Sequence, residues 1–273
     1  MQQLIDKPEA FFITGTGRCG TMLLSRLFNL SSKMVCKHEE YFKHQSMLDY
    51  YTRGEINGFI KDIQESFEPS RIHHQTNKIT LGVSSGHLYF SIPLLWKMYG
   101  EKSRYIFLVR RPDNFVRSAM ARGFFDPEHP NYCNQIQPKA SDPIAMDWSR
   151  ISVLERNLWY WSMVNSYLLE LCDLLPRHTW RLVKIEDLNT EIAYDLCLFL
   201  GITDIDKIKI NNLLKQRINA SPGHEDNTCV NPYSLSISMP IFSEWNNHDQ
   251  ELLNYYTAPL INRLYPAINN NTC

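Results

Sequence analysis

The sequence predicts an α/β fold of three layers, in which a mostly parallel central sheet of about five strands is flanked by helices. Short apolar runs alternate with longer segments of helical periodicity, as they do in successive βα units. The first apolar run also passes through closely spaced glycines directly into an amphipathic helix, which is a turn typical of such folds. The predicted strands are residues 11–14, 34–36, 79–83, 105–109 and 181–185.

The composition is that of an ordinary soluble globular protein. The chain has 273 residues, 44% of them hydrophobic and 21% charged, so it can bury one large core, and we expect a single domain over residues 1–273. The formal net charge of −1 disfavours a nucleic-acid partner or a polybasic membrane contact. No apolar run approaches the roughly 20 residues that a membrane-spanning helix needs. Seven cysteines without a Cys-x-x-Cys pair, and no signal peptide, predict reduced thiols in the cytoplasm.

The first predicted strand leads into a loop that contains Gly15, Gly17 and Gly20. Without side chains at these positions, the backbone can turn tightly and direct several N–H groups toward one anion. The helix that follows adds the positive end of its dipole. The loop is therefore predicted to bind a phosphate or a sulfate. The alternative for a lone glycine-rich loop is a turn without a ligand.

This loop has the glycine spacing of the nucleotide-binding P-loop but lacks its lysine. Thr21 stands where that motif carries lysine. Arg18, inside the loop, is the expected replacement, because a guanidinium fork binds two oxygens of one anion. The thiol of Cys19 either has a lowered pKa here or, more commonly, only fills the loop. The predicted ligand-binding residues of the loop are Gly15, Thr16, Gly17, Arg18, Cys19, Gly20, Thr21 and Met22.

A second candidate anion site begins at the end of the fourth predicted strand. Arg110 follows that strand, and Pro112 and Asp113 are signals for the start of a helix. Ser118 lies one to two turns into this helix, so its hydroxyl and the Arg110 guanidinium can converge on one phosphate. Taken alone, a solvated arginine and an ordinary helix serine are the more common explanation. The glycine loop that precedes them in the chain favours a binding site.

Together these motifs resemble the sulfotransferases that use 3′-phosphoadenosine 5′-phosphosulfate (PAPS). Residues 17–21, Gly-Arg-Cys-Gly-Thr, are similar to the 5′-phosphosulfate loop of that family. Arg110, with Ser118 eight residues later, is similar to the family's pair at the 3′-phosphate. The resemblance implies a P-loop-like sulfotransferase fold, PAPS as the donor, adenosine 3′,5′-bisphosphate (PAP) as its product, and no metal.

A third stretch, near the middle of the chain, also resembles the family. Residues 181–188 and 198–202 are similar to a family strand, its Tyr-Glu-Asp-Leu turn and a helix that ends in Phe-Leu-Gly, although Ile185 replaces the usual tyrosine. Glu186 and Asp187 are expected to be structural residues that cap or orient this turn.

Transfer of a sulfuryl group requires a base for the acceptor proton. His38 and Glu39 follow the second predicted strand, and open α/β sheets bind ligands at the carboxyl ends of their strands. Several sulfotransferase branches, including the tyrosylprotein enzymes, carry a His-Glu or Glu-Glu pair here, with glutamate as the base. The resemblance therefore predicts that Glu39 is the base, with His38 as the alternative. His87, after the third strand, is a further candidate to face the acceptor.

Two segments, residues 124–150 and 219–240, are predicted to be loops at the active site. Four aromatic residues either wall an acceptor pocket or pack against a long helix over residues 153–174, namely Phe124, Phe125, Tyr132 and Trp148. The resemblance implies a sulfotransferase of the bacterial type that sulfates a hydroxyl or amine. The lack of a predicted membrane anchor favours a cytoplasmic enzyme and a small-molecule acceptor, such as a secondary metabolite or a toxin precursor. The alternatives are an ATP-dependent small-molecule kinase and a non-catalytic nucleotide-sensing module. The sequence predicts no oligomeric state.

Overall fold

The computed structural model describes residues 7–129, 135–216 and 239–266. Within them, five strands form one parallel sheet in the order β2-β3-β1-β4-β5. Each predicted strand is present, with its ends within two residues of the prediction. The strands are β1 (Ala10–Gly15), β2 (Met34–His38), β3 (Thr80–Ser85), β4 (Ser103–Val109) and β5 (Trp180–Lys184).

Helices connect the strands and cover both faces of the sheet. The predicted long helix over residues 153–174 is confirmed, and it starts with a capping box in which the side chains and amides of Ser152 and Glu155 bond reciprocally. The α-helices of the described residues are α1 (Thr21–Phe28), α2 (His44–Arg53), α3 (Asn57–Asp62), α4 (Glu68–Thr76), α5 (Ile92–Tyr99), α6 (Pro112–Met120), α7 (Val153–Leu174), α8 (Thr190–Phe199), α9 (Lys207–Leu214) and α10 (Asn247–Leu264).

The sheet is buried on both faces, which explains its nearly continuous apolar strands. Phe11 packs into a core with α1, α8 and α9, whereas the next residue, Phe12, points into a larger core with the other helices. Both side chains are fully buried. The predicted architecture of three layers is therefore confirmed.

The connections of the central strand create a crevice at its carboxyl end. From β1 the chain passes to α1 on one face, whereas α5 and α6, which follow the neighbouring strands β3 and β4, pack on the other face. Such a divergence of loops opens a ligand site in parallel sheets. Gly15 of β1 pairs with Leu108 of β4, so the ends of the two strands lie side by side.

The segment after α6 packs against α7. Phe125 is fully buried, and Phe124 and Trp148 are each 9% exposed. Asn157 Nδ2 donates to the Phe124 carbonyl at 3.0 Å, and Arg156 Nε donates to that of Trp148 at 3.1 Å. Packing against α7 is therefore observed for Phe124, Phe125 and Trp148, whose rings contact Tyr160 or Trp159, whereas Tyr132 lies outside the described residues. The predicted loop 219–240 lies outside the described residues except for its last two positions.

None of the helices in the described ranges is long and apolar enough to cross a membrane.

Candidate anion-binding site

The loop after β1 turns through left-handed backbone conformations. Gly17, Arg18 and Gly20 have φ values of 71°, 52° and 98°. Glycine adopts such values without strain. The Arg18 backbone is strained in this conformation, which persists only because the surrounding structure stabilises it. A side chain at Gly15 would collide with the backbone carbonyl of Leu108. The glycine spacing is thus required by this turn and by its close approach to β4.

The end of the loop leads directly into α1. Thr21 and Met22 are the first two residues of that helix, and Gly20 is its N-cap. Ser84, at the end of β3, donates its hydroxyl proton to the Thr21 carbonyl at 2.7 Å, which ties the helix start to the neighbouring strand. Thr16 Oγ1 donates to the Gly17 carbonyl at 2.9 Å. The amino terminus of α1, with its positive dipole end, is thereby held beneath the loop.

Cys19 fills the inside of this loop. Its side chain is fully buried, and burial raises the pKa of the thiol to about 11. The thiol is therefore protonated at neutral pH. Of the two alternatives for this cysteine, the loop filler is the one observed.

Arg18 joins the two predicted anion sites. Its Nε donates to Ser118 Oγ at 3.1 Å, across 100 positions of sequence. Arg110 Nη1 donates to the carbonyl of Arg18 at 2.7 Å. The loop after β1, the end of β4 and α6 are therefore in contact through Arg18, which brings residues of the two predicted sites together.

Two further guanidiniums lie near that of Arg18. The pKa of Arg18 is lowered to about 10, first by burial and then by the charges of Arg122 and Arg110. Burial also lowers the pKa of both other arginines. Arginines stay protonated at neutral pH, and the repulsion that Arg122 and Arg110 exert on Arg18 in this poorly hydrated place costs free energy that a polyanion would offset on binding. The donor set thus fits a ligand with several phosphate or sulfate groups.

Arg122 was not expected from the sequence. It is 8% exposed and follows Ser118 by four positions, which is the spacing that places two residues on one helix face. That spacing was the available signal. An arginine near a helix end is usually solvated, so this four-residue spacing does not distinguish a buried arginine from a solvated one.

Helix α7 donates hydrogen bonds to both segments that are predicted to bind anions. Tyr160 Oη donates to the Thr16 carbonyl at 3.1 Å, and the indole N–H of Trp161 donates to the Arg110 carbonyl at 2.8 Å. Tyr89 Oη lies 3.2 Å from Tyr160 Oη and extends this buried chain. In the sequence these aromatic residues are indistinguishable from ordinary core residues.

Glu39 and His38 lie at the end of β2, at the same edge of the sheet. Glu39 has a φ of 53°, and its amide donates to the Ser84 carbonyl at 2.9 Å. Its side chain is 56% exposed, with Oε1 4.0 Å from His38 Nε2. The Glu39 charge also acts to raise the pKa of Arg18, so the carboxylate lies within electrostatic range of that guanidinium. His38 Nδ1 lies 3.0 Å from the Ser84 carbonyl, and a proton there leaves Nε2 as the acceptor.

Glu186 has the structural role expected of it. Its carboxylate accepts from the Arg111 amide at 2.8 Å and from Tyr265 Oη at 3.1 Å. It therefore fixes the backbone between β4 and α6. Asp187 Oδ2 lies 3.9 Å from Lys184 Nζ in an exposed pair.

His87 packs edge-to-face against His44, with ring centroids 4.2 Å apart. Burial, and then the charge of His44, lower the pKa of His87 from 6.5 to about 3. Between pH 6.5 and about pH 3, the unfolded chain therefore binds a proton at His87 that the folded protein does not bind. The contribution of His87 to the free energy of unfolding is therefore greatest above about pH 6.5 and decreases as the pH falls. Between pH 7 and pH 5 we expect His87 to account for a loss of about 1–2 kcal/mol in the free energy of unfolding.

Urea unfolding of the wild type and of His87→Gln at both pH values tests this expectation. The variant should lose less stability over the interval. His178→Gln is the control, because the His178 side chain is 58% exposed. Equal pH dependence of the wild type and His87→Gln would show that the imidazole titrates normally.

No family model matches the chain, and the search of curated proteins found no match. Solved structures do resemble it. A sulfotransferase from Alicyclobacillus acidocaldarius is 16% identical over 97% of both chains, with a TM-score of 0.54. The mouse sulfotransferase SULT7A1, complexed with PAP, is 15% identical over 97% of this chain and 90% of its own, with a TM-score of 0.55. The chain therefore has the P-loop-like fold of the sulfotransferases.

Proposed function

We propose that this protein is a sulfotransferase that moves a sulfuryl group from PAPS to a hydroxyl or amine of a small-molecule acceptor. The proposal rests on two hydrogen bonds, from Arg18 to Ser118 and from Arg110 to Arg18, because they bring two separately predicted anion sites together. In this proposal residues 15–22 hold the 5′-phosphosulfate, and Arg110 with Ser118 holds the 3′-phosphate.

The proposed chemistry is an in-line displacement at sulfur. Glu39 accepts the acceptor's proton while the acceptor oxygen or nitrogen bonds to sulfur. The bond between sulfur and the bridging oxygen of the 5′-phosphate breaks, and PAP leaves with the electron pair. Arg18 and the amides at the start of α1 neutralise charge on the equatorial and leaving oxygens. His38 Nε2 is the alternative proton acceptor.

The residues of the loop favour this chemistry over phosphoryl transfer from ATP. Thr21 and Met22 stand where a kinase loop carries its lysine and its magnesium-binding hydroxyl. Arg18 provides a fixed, planar cation instead. In the proposed reaction the arginines supply the charge stabilisation that a metal supplies in kinases.

The first test is binding of PAP. Calorimetry should detect saturable binding, and PAP should raise the melting temperature more than ATP with magnesium at the same concentration. Transfer of sulfate from labelled PAPS to a panel of hydroxylated and amino compounds then tests the activity. Absence of PAP binding would reject the proposed function, and binding without transfer to any acceptor would favour the nucleotide-sensing alternative.

We further propose that the acceptor is a secondary metabolite and that the protein works in the cytoplasm. The lack of a paired cysteine pattern supports a reducing compartment.

A further inference from the structure

The loop between β2 and α2 carries Glu39 in a strained backbone conformation. We call residues 39–43 the base loop. Within it, Glu39 and Tyr41 have φ values of 53° and 75°, in the left-handed region that residues other than glycine seldom adopt. Such conformations persist only where surrounding contacts stabilise them, and they are concentrated at functional sites. The shape of the base loop therefore depends on the contacts at its two ends and in its middle.

The first end of the base loop is joined to the loop after β1 through the end of β3. The Glu39 amide donates to the Ser84 carbonyl at 2.9 Å, and the Ser84 hydroxyl donates to the Thr21 carbonyl at 2.7 Å. Gly86, two residues after Ser84, is so close to the loop after β1 that a Cβ there would lie 2.7 Å from Gly17 Cα. The backbone of Glu39 is thereby tied to the segment that is proposed to hold the phosphosulfate.

A buried carboxylate holds the other end of the base loop. Asp62, the last residue of α3, is 3% exposed. Its Oδ2 accepts from the amide of Lys43, the N-cap residue of α2, at 2.9 Å. Its Oδ1 lies 3.9 Å from Lys43 Nζ, on a side chain that is largely exposed. Because aspartate is seldom buried unless its charge is compensated, the burial of Asp62 is tied to its contacts with Lys43.

Aromatic rings on both sides of Asp62 hold the middle of the base loop. The Phe42 ring stacks on Phe59, three residues before Asp62 in α3, with centroids 5.0 Å apart. Phe67, in the π-helical turn that follows Asp62, contacts the Tyr41 ring edge-to-face at 5.8 Å and the Phe42 ring at 5.5 Å. Phe59 and Phe67 are fully buried. The helical segment that contains Asp62 therefore contacts each of residues 41–43, and the Asp62 carboxylate supplies the polar contact.

We infer that Asp62 is a positioning residue for the proposed reaction, because its carboxylate holds the base loop in the strained conformation that sets the place of Glu39. This inference rests on the proposed function and adds a residue that acts through Glu39 rather than on the substrate. Loss of the bond from the Lys43 amide lets the strained residues relax to ordinary φ values, and this relaxation moves the Glu39 carboxylate. Displacement of a catalytic group by about 1 Å is enough to lower a rate by about 10²-fold.

A double-mutant cycle tests whether Asp62 acts through Glu39. Asp62→Ala should lower the rate of single-turnover sulfate transfer by about 10- to 100-fold and leave PAP affinity within a few-fold of the wild type. Asp62→Asn keeps an oxygen that accepts from the Lys43 amide, so it should recover most of the lost rate. In a Glu39→Gln background, Asp62→Ala should lower the remaining rate by less than about 3-fold, because the group that it positions is already absent. A general structural defect would lower both rates by the same factor.

Asp204→Ala is the matched control. Asp204 also accepts from a backbone amide, that of Ser32 at 3.2 Å, and from the Ser31 hydroxyl at 2.6 Å, but these contacts hold the turn at the opposite end of β2. Its replacement removes similar contacts and should leave transfer unchanged in both backgrounds. Hydrogen exchange gives a second readout that needs no enzymatic activity. Asp62→Ala should speed exchange at the amides of residues 39–43 by about tenfold or more, and Asp204→Ala should not.

Two results would overturn the role of Asp62 while the wild type still transfers sulfate. They are unchanged exchange at residues 39–43 in Asp62→Ala, and an equal loss of transfer in the wild-type and Glu39→Gln backgrounds. If Asp62→Ala is insoluble, Asp62→Asn takes its place, and its smaller loss of transfer should likewise disappear in the Glu39→Gln background. Failure of the wild type to bind PAP or to transfer sulfate would instead overturn the proposed function together with this inference.

Discussion

Glu39→Gln is expected to lower the rate of sulfate transfer by about 10²- to 10⁴-fold while PAP affinity stays within a few-fold of the wild type. The amide has the shape of the carboxylate but does not accept a proton at neutral pH. The backbone at this position is held by the bond from the Glu39 amide to the Ser84 carbonyl, which the substitution keeps. Single-turnover transfer from labelled PAPS and calorimetry with PAP measure the two effects separately.

Glu40→Gln is the matched control for this experiment. Glu40 is the adjacent residue, its side chain is 53% exposed, and it forms an ion pair with Lys37 at 3.4 Å. Its replacement should leave transfer nearly unchanged. Near-normal transfer by Glu39→Gln would remove Glu39 from the proposed role, and a large loss in His38→Gln would then assign the base to His38.

Arg18→Ala is expected to lower kcat/KM by 10²-fold or more, because it removes charge stabilisation at the transferred group. The same substitution should not destabilise the nucleotide-free protein as a buried truncation usually does. A pKa lowered from 12.5 to about 10 corresponds to about 3 kcal/mol of unfavourable environment for the charged guanidinium. This cost is present at every pH below about 10 and is relieved only above it, so it applies at neutral pH.

Thermal unfolding and steady-state kinetics test the two parts of this prediction. The melting temperature of nucleotide-free Arg18→Ala should equal or exceed that of the wild type, and PAP should stabilise only the wild type strongly. Arg26→Ala removes an exposed arginine from the same helix, α1, and should leave kinetics unchanged. Unchanged kinetics in Arg18→Ala would contradict the role of Arg18, whereas a large loss of stability would contradict the unfavourable environment inferred for the charged guanidinium from its burial and its neighbouring arginines.

Local patterns in the sequence were sufficient for the architecture. A buried parallel strand has to be apolar on both faces, and a tight turn into a helix requires glycine. The strand over residues 11–14 and the loop from Gly15 to Gly20 could therefore be recognised from local sequence alone. Arg110 and Ser118 could be put forward as candidate site residues from the sequence because their motif lies within one strand end and one helix. The same locality explains why helix 153–174 was predicted with the bounds observed.

The contacts between distant segments were decided only by the packing of the chain. The bond from Arg18 to Ser118 spans 100 positions, and no spacing rule links residues that far apart. Periodicity likewise did not reveal that Arg122 is buried, and it did not decide whether Phe124 packs against α7 or walls a pocket. Burial, and with it the pKa of a cysteine or an arginine, depends on what the other helices place around a side chain, and this is a property of the folded molecule alone.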